Sequence, residues 1–124
     1  MRKTTSINYR NEDDLVGGCP LAAALSLVGG RWKILLLWYV GHGLDRYGAL
    51  RRTIPSISGK MLYQQLRELE QHGLVIRVVE GRRVRYVLSG LGRSMLDPLS
   101  HLETWSRENA IGERRKAISH NEDC

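Results

Sequence analysis

A single small domain, mainly α-helical and carrying one two-stranded β-ribbon, is what this sequence predicts. Three observations carry that expectation. The 124 residues, 42% hydrophobic and 26% charged, are one domain's worth of chain with apolar surface for a modest core. Apolar residues recur at helical spacing through the first part of the chain and again after Ser89. Between Leu74 and Leu88 the spacing changes to two, around a short polar connection.

Residues 1–18 show no apolar periodicity and include Asn11-Glu12-Asp13-Asp14, which reads as a flexible arm. Cys19-Pro20 opens the first helix, because proline suits the first helical position, and Leu21 to Val28 continue it to Gly29-Gly30. From about Arg31 to Val40 the chain is apolar nearly all round and is expected as the central buried helix. Tyr47 to Thr53 forms a short third helix, with Leu50 inward and Arg51 and Arg52 outward, stopped ahead of Pro55. Ser58 is a good N-cap for a fourth helix that runs to about His72 and ends at Gly73. In that helix Leu62, Leu66 and Leu69, spaced by four and three, form one stripe. Lys60, Gln64, Arg67 and Gln71 fall on the opposite face, with Tyr63 on its flank.

In the ribbon, Leu74, Ile76 and Val78 are expected to point one way and Arg77 the other, while Val84, Tyr86 and Leu88 alternate with Arg85. Glu80-Gly81-Arg82-Arg83 makes the connection, a basic hairpin tip. Ser89 caps a last helical region carrying Leu91, Met95, Leu99, Leu102 and Trp105. Asp97-Pro98 interrupts it, as a kink or as the start of a second segment. Residues 110–124 read as a polar tail, which leaves 19–109 as the domain.

The net charge of +6 is unevenly spread: residues 46–93 hold ten basic side chains against Glu68, Glu70 and Glu80. A polyanion would meet the middle of the chain. No basic amphipathic helix of the surface-seeking kind is apparent, which favours nucleic acid over a membrane. No apolar run approaches the roughly 18–20 residues that cross a bilayer, and the N-terminus lacks a signal-peptide pattern, so a cytoplasmic protein is expected. Cys19 and Cys124 form neither a disulfide framework nor a zinc site, and His42, His72, His101 and His120 lack ligand spacing. No metal or cofactor is therefore expected. Neither a nucleophile–base set nor a glycine-rich phosphate loop appears, which argues against an enzyme.

Helix, helix, turn, helix and then a hairpin with arginines at its tip is the order of a winged helix-turn-helix, here with further helices at both ends of the domain. On an isolated helix Lys60, Gln64 and Arg67 would be an ordinary solvated face; this order of elements reverses that reading. Ser58, Lys60, Tyr63, Gln64 and Arg67 can then offer donors and acceptors to major-groove base edges. Arg51, Arg52, Arg82, Arg83 and Arg85 can bind phosphates or enter the minor groove. Trp32 and Trp38 read as core rather than as a cofactor box.

The chain resembles the HxlR-type winged helix-turn-helix regulators, a branch close to the MarR-type regulators of bacteria. The matching residues are Cys19-Pro20, Gly29-Gly30-Arg31-Trp32-Lys33, Leu50-Arg51-Arg52-Thr53-Ile54-Pro55, Ile57-Ser58, Lys60-Met61-Leu62, Gln65-Leu66-Arg67-Glu68-Leu69 and Gly73-Leu74-Val75. Arg85-Tyr86, Leu88 and Leu91-Gly92 continue the match, which covers about residues 19–106. The hairpin connection is shorter than the family's and lacks its prolines, and Gly90 stands where a proline commonly opens the last helix.

The resemblance implies a homodimeric DNA-binding transcriptional regulator, usually a repressor, with dimer contacts from the first and last helices. Leu21, Leu25, Leu99, Leu102 and Trp105 carry the apolar surplus of those helices. Double-stranded DNA, as an inverted-repeat operator, is the expected partner. Cys19 has two readings. It is a small residue at the head of a helix, or a candidate thiolate, since helix dipole and free N–H groups favour an anion there. Some members of the family use this cysteine to sense oxidants, quinones or aldehydes. A disulfide would join Cys19 to Cys19 or Cys124 of a partner subunit, or to a small thiol. A small-molecule effector at the dimer interface is the alternative control; a winged helix used only for protein contacts and a small enzyme are the other functional readings.

Overall fold

Residues 18–116 are described by the computed structural model; the expected arm up to residue 17 and the end of the tail, including Cys124, lie outside the described residues. The elements run α1 (Pro20–Val28), α2 (Lys33–Gly41), α3 (Tyr47–Thr53), α4 (Gly59–Gln71), β1 (Val75–Glu80), β2 (Arg83–Leu88), α5 (Gly90–Ser94) and α6 (Leu96–Glu108). Residues 111–116 are also helical.

Local chemistry sets the boundaries. Cys19 is extended at the head of α1 with Pro20 directly after it. Ser58 and Ser89 cap α4 and α5, their hydroxyls accepting the Met61 and Gly92 N–H groups at 3.0 Å. The last helical region breaks at Met95, slightly ahead of Asp97-Pro98. Pro98 therefore sits in the first turn of α6, where a missing N–H leaves no intrahelical bond unmade.

One core joins the elements. Leu36, Leu37 and Val40 of α2 meet Leu50 of α3, the Leu62–Leu66–Leu69 stripe of α4, and Leu74, Val75, Tyr86 and Leu88 at the base of the ribbon. The carbonyl of Asp45 accepts the Tyr86 N–H at 2.8 Å, so the segment ahead of α3 lies along β2 and ties ribbon to helices. The helix expected as the central buried one does supply the core, but its burial is one-sided: Leu35 is exposed, and Ile34, Trp38 and Tyr39 are only partly covered.

The ribbon corrects a second expectation. β1 and β2 pair antiparallel with Val75 opposite Leu88, Arg77 opposite Tyr86 and Val79 opposite Val84. Directly opposed residues share a face. Val75, Arg77 and Val79 therefore lie on the side of buried Tyr86 and Leu88, and Ile76 and Val78 on the other. Leu74 is buried too, but as the residue leaving α4 and ahead of the strand, so counting the alternation from it shifts the phase by one. Three helices followed by this ribbon make a winged helix-turn-helix, mainly α with a two-stranded wing.

Candidate nucleic-acid interface

The inner stripe fastens α4 and leaves its outer face to solvent. Leu62, Leu66 and Leu69 are fully buried, each stabilising the fold by about 1.5–3 kcal/mol relative to an exposed position. Lys60, Tyr63, Gln64, Arg67 and Gln71 are exposed, and Ser58 stands exposed at the head of the helix. α3 crosses that head. Its Tyr47 hydroxyl donates to the Gly59 carbonyl at 2.9 Å, and a Cβ on Gly59 would stand 3.0 Å from Arg51 Nη1. Arg51 is thereby placed beside Ser58 and Lys60. Arg52, also exposed, faces Gly48 on its own helix instead.

Three residues to which the sequence analysis gave no site role form a polar cluster beside this face. Lys33 Nζ, at the start of α2, donates to Glu68 Oε1 at 2.6 Å and to Gln65 Oε1 at 3.1 Å. Gln64 Nε2 donates to the other carboxylate oxygen, Glu68 Oε2, at 3.2 Å. The Lys33 ammonium, followed by the Gln64 amide, holds the Glu68 carboxyl below the usual carboxylate range. Four-residue spacing between Gln64 and Glu68 was visible in the sequence, but the partner on α2 was not.

The wing closes in a two-residue turn. Glu80 pairs with Arg83, and of the intervening Gly81-Arg82 only Gly81 has a positive φ, +64°, as in a type II′ turn. Arg82 and Arg83 are exposed at this tip. Arg85 differs from them. Its Nε and Nη2 lie 3.2 and 3.5 Å from the Glu80 carboxylate, so its charge is opposed within the ribbon. The same contact lowers the Glu80 carboxyl from its usual range.

The first and last long helices each carry exposed apolar side chains. Leu21 and Leu25 of α1 are 68% and 53% exposed, and Leu102 and Trp105 of α6 are 51% and 54% exposed. Leu99, grouped with them in the sequence, is only 5% exposed and belongs to the chain's own core. It sits where α6 packs on α2, and the two residues three and six positions on have turned outward. Next to it a cleft of about 280 Å³ opens between α2 and α6, lined by Leu35, Trp38, Tyr39, Leu99, Leu102 and Glu103 among others. Cys19 is a half-buried free thiol; its carbonyl accepts the Ala23 N–H at 3.0 Å, while its side chain makes no capping hydrogen bond. Among the described residues, no single helix is long and apolar enough to cross a membrane.

Comparison with known proteins places this geometry among regulators. A family model described as HxlR-like helix-turn-helix matches residues 27–114. The uncharacterised HTH-type transcriptional regulator YdeP of Bacillus subtilis strain 168 is 34% identical over 105 residues, 82% of this chain and 80% of that protein. Among solved structures, the redox regulator HypR in its reduced form is similar with a TM-score of 0.70 at 35% identity, over 73% of this chain and 93% of that one. Quinone-bound YodB from B. subtilis is similar with a TM-score of 0.63 at 34% identity, over 73% of this chain and 99% of that one.

Proposed function

Since the chain belongs to the HxlR-like helix-turn-helix family, we propose that this DNA-binding transcription regulator is a homodimeric repressor, reading an inverted-repeat operator with α4 and controlled through Cys19. The observation that carries the reading is the outer face of α4. Lys60, Tyr63, Gln64 and Arg67 are exposed together on a helix whose opposite stripe is fully buried. Such a helix can enter a major groove without disturbing the core. Arg51 and the wing arginines Arg82 and Arg83 supply phosphate contacts on either side, and Arg52 adds to them. Arg85 contributes less, because Glu80 opposes its charge.

The homodimer is supported by the apolar surface of the terminal helices. Leu21 and Leu25 on α1, and Leu102 and Trp105 on α6, leave large apolar side chains in water that a second copy of the chain would cover. Control through Cys19 is supported by its place at the head of α1, the helix that carries Leu21 and Leu25. The similar HypR is a redox regulator and the similar YodB binds a quinone. An oxidant would take two electrons and two protons from Cys19 and a second thiol, leaving a disulfide; a quinone would be attacked by the thiolate, leaving a thioether. Either product adds bulk beside the α1 contact and changes the separation of the two α4 helices, which operator binding needs fixed. The α2–α6 cleft favours a second reading of the control, an apolar effector bound beside the dimer contact.

A band-shift and footprint on the promoter beside the protein's own gene test the proposal. The expected footprint has half-sites one helical turn apart, ~34 Å, with affinity falling steeply as salt rises. Diamide is expected to change affinity by at least about tenfold in the wild type and not in Cys19→Ser, a difference of ~1.4 kcal/mol. A flat salt dependence would overturn the nucleic-acid reading. An unchanged band-shift after oxidation would leave the effector cleft as the control.

A further inference from the structure

The cluster at Lys33 has a consequence for what Gln64 can read. A solvent-exposed glutamine amide turns freely, and its oxygen and nitrogen exchange places at little cost. Gln64 is not free in this way. A carboxylate only accepts hydrogen bonds, so the group that Gln64 turns toward Glu68 Oε2 must be its NH₂, and its carbonyl oxygen then faces away. Glu68 alone would be a weak anchor, since its side chain is 34% exposed and an i,i+4 contact on a helix surface stabilises by only a few tenths of a kcal/mol. What steadies it is Lys33, on a different helix and 12% exposed, at 2.6 Å from the carboxylate oxygen that Gln64 does not use. Lys33 is steadied in turn by Gln65 Oε1 at 3.1 Å. Both carboxylate oxygens of Glu68 thus have a partner, and Lys33 extends from α2, a helix fixed in the core by Leu36, Leu37 and Val40.

We propose that Lys33 and Glu68 are positioning residues that hold the Gln64 amide with its oxygen outward, so that each half-site is read for adenine and against guanine at one base pair. The inference rests on α4 being the base-reading helix. One amide hydrogen of Gln64 is taken by Glu68, leaving one donor and one acceptor. Adenine presents N6–H₂ as a donor and N7 as an acceptor in the major groove, which matches that pair. Guanine presents two acceptors, N7 and O6, and sets a lone pair against the outward oxygen. A freely turning glutamine could avoid that clash by offering its NH₂; a held one cannot, so the ion pair adds discrimination against the wrong base.

The test selects duplexes from a randomised pool with the full-length wild type, Gln64→Ala, Glu68→Gln and Lys33→Met, and sequences what each retains. The wild type is expected to enrich adenine over guanine at one position per half-site, and Gln64→Ala to lose that preference. Glu68→Gln and Lys33→Met are each expected to lower the same preference about tenfold, ~1.4 kcal/mol, with the salt dependence of binding unchanged. Adding Glu68→Gln to Gln64→Ala should change nothing further at that position, as expected for residues acting through one another. A merely structural role would instead weaken all sequences alike and lower the unfolding midpoint in step. Glu68→Gln, nearly isosteric and at a half-buried position, decides alone if Lys33→Met unfolds. The inference is overturned if Glu68→Gln leaves the adenine preference intact while Gln64→Ala removes it, or if Gln64→Ala changes no position. Failure of the wild type to retain any duplex would overturn the DNA-binding reading itself, and this inference with it.

Discussion

A Cβ on Gly92 would collide with the backbone carbonyl of Leu74, so α5 approaches the start of the ribbon more closely than any other residue type allows. The obstacle is backbone, which cannot swing aside as a side chain can. Gly92→Ala is expected to destabilise the protein by about 1–3 kcal/mol, seen as a lower urea midpoint. Gly90→Ala, two residues earlier with nothing within 4 Å, is expected to be neutral or to stabilise by up to about 1 kcal/mol. Equal effects from the two would remove the close approach as the cause. This difference was not legible in the sequence, where both glycines stand in one short helix. Single residues reveal their role locally only when the partner is near in the chain, as with Ser58 and the Met61 N–H. Lys33 and Glu68 are 35 residues apart, and nothing in their spacing announces the pair.

At the scale of elements, the proposed function divides the work of binding between α4 and the wing. Arg67 lies on the exposed outer face of α4, whereas Arg82 stands at the wing tip. Arg67→Ala is therefore expected to relax base preference at particular positions, costing about 1–3 kcal/mol on the preferred duplex. Arg82→Ala should weaken every duplex nearly equally and reduce the slope of affinity against salt by about one phosphate contact. Competition binding against altered duplexes separates the two patterns; the same pattern from both variants would show that the reading face is misplaced. The face of α4 was legible because helical geometry puts residues four and three apart on one side, whatever covers them. The phase of β1 was not. A strand's alternation can be counted from its sequence, but the strand's first residue is decided by where α4 releases the chain, and Leu74 and Val75 are both buried there.

For the whole molecule, the apolar surface of α1 and α6 is the feature a single chain does not resolve by itself. Leu102→Asp or Trp105→Asp is expected to give folded monomers in sedimentation velocity, because both side chains are half exposed within the chain and cost its own core little. Leu99→Asp is expected instead to unfold the protein, seen as loss of the cooperative circular-dichroism transition. A charge would there enter the core without a partner, at a cost of several kcal/mol against a total stability of about 5–15 kcal/mol. A folded dimer surviving both Leu102→Asp and Trp105→Asp would place the interface elsewhere.

The sequence by itself determined the order of the elements, the caps at Ser58 and Ser89, the buried stripe of α4 and the concentration of positive charge between Arg46 and Arg93. All of these follow from spacing and bonding within a few residues, which any chain of this sequence carries with it. Only the tertiary structure decided that Leu99 lies inside while Leu102 lies outside, that Arg85 is opposed by Glu80 across the ribbon, and that Gln64 is held through Glu68 by Lys33. Each of those depends on which neighbour covers a face or reaches a charge, and neighbours distant in the chain are chosen by packing rather than by local period.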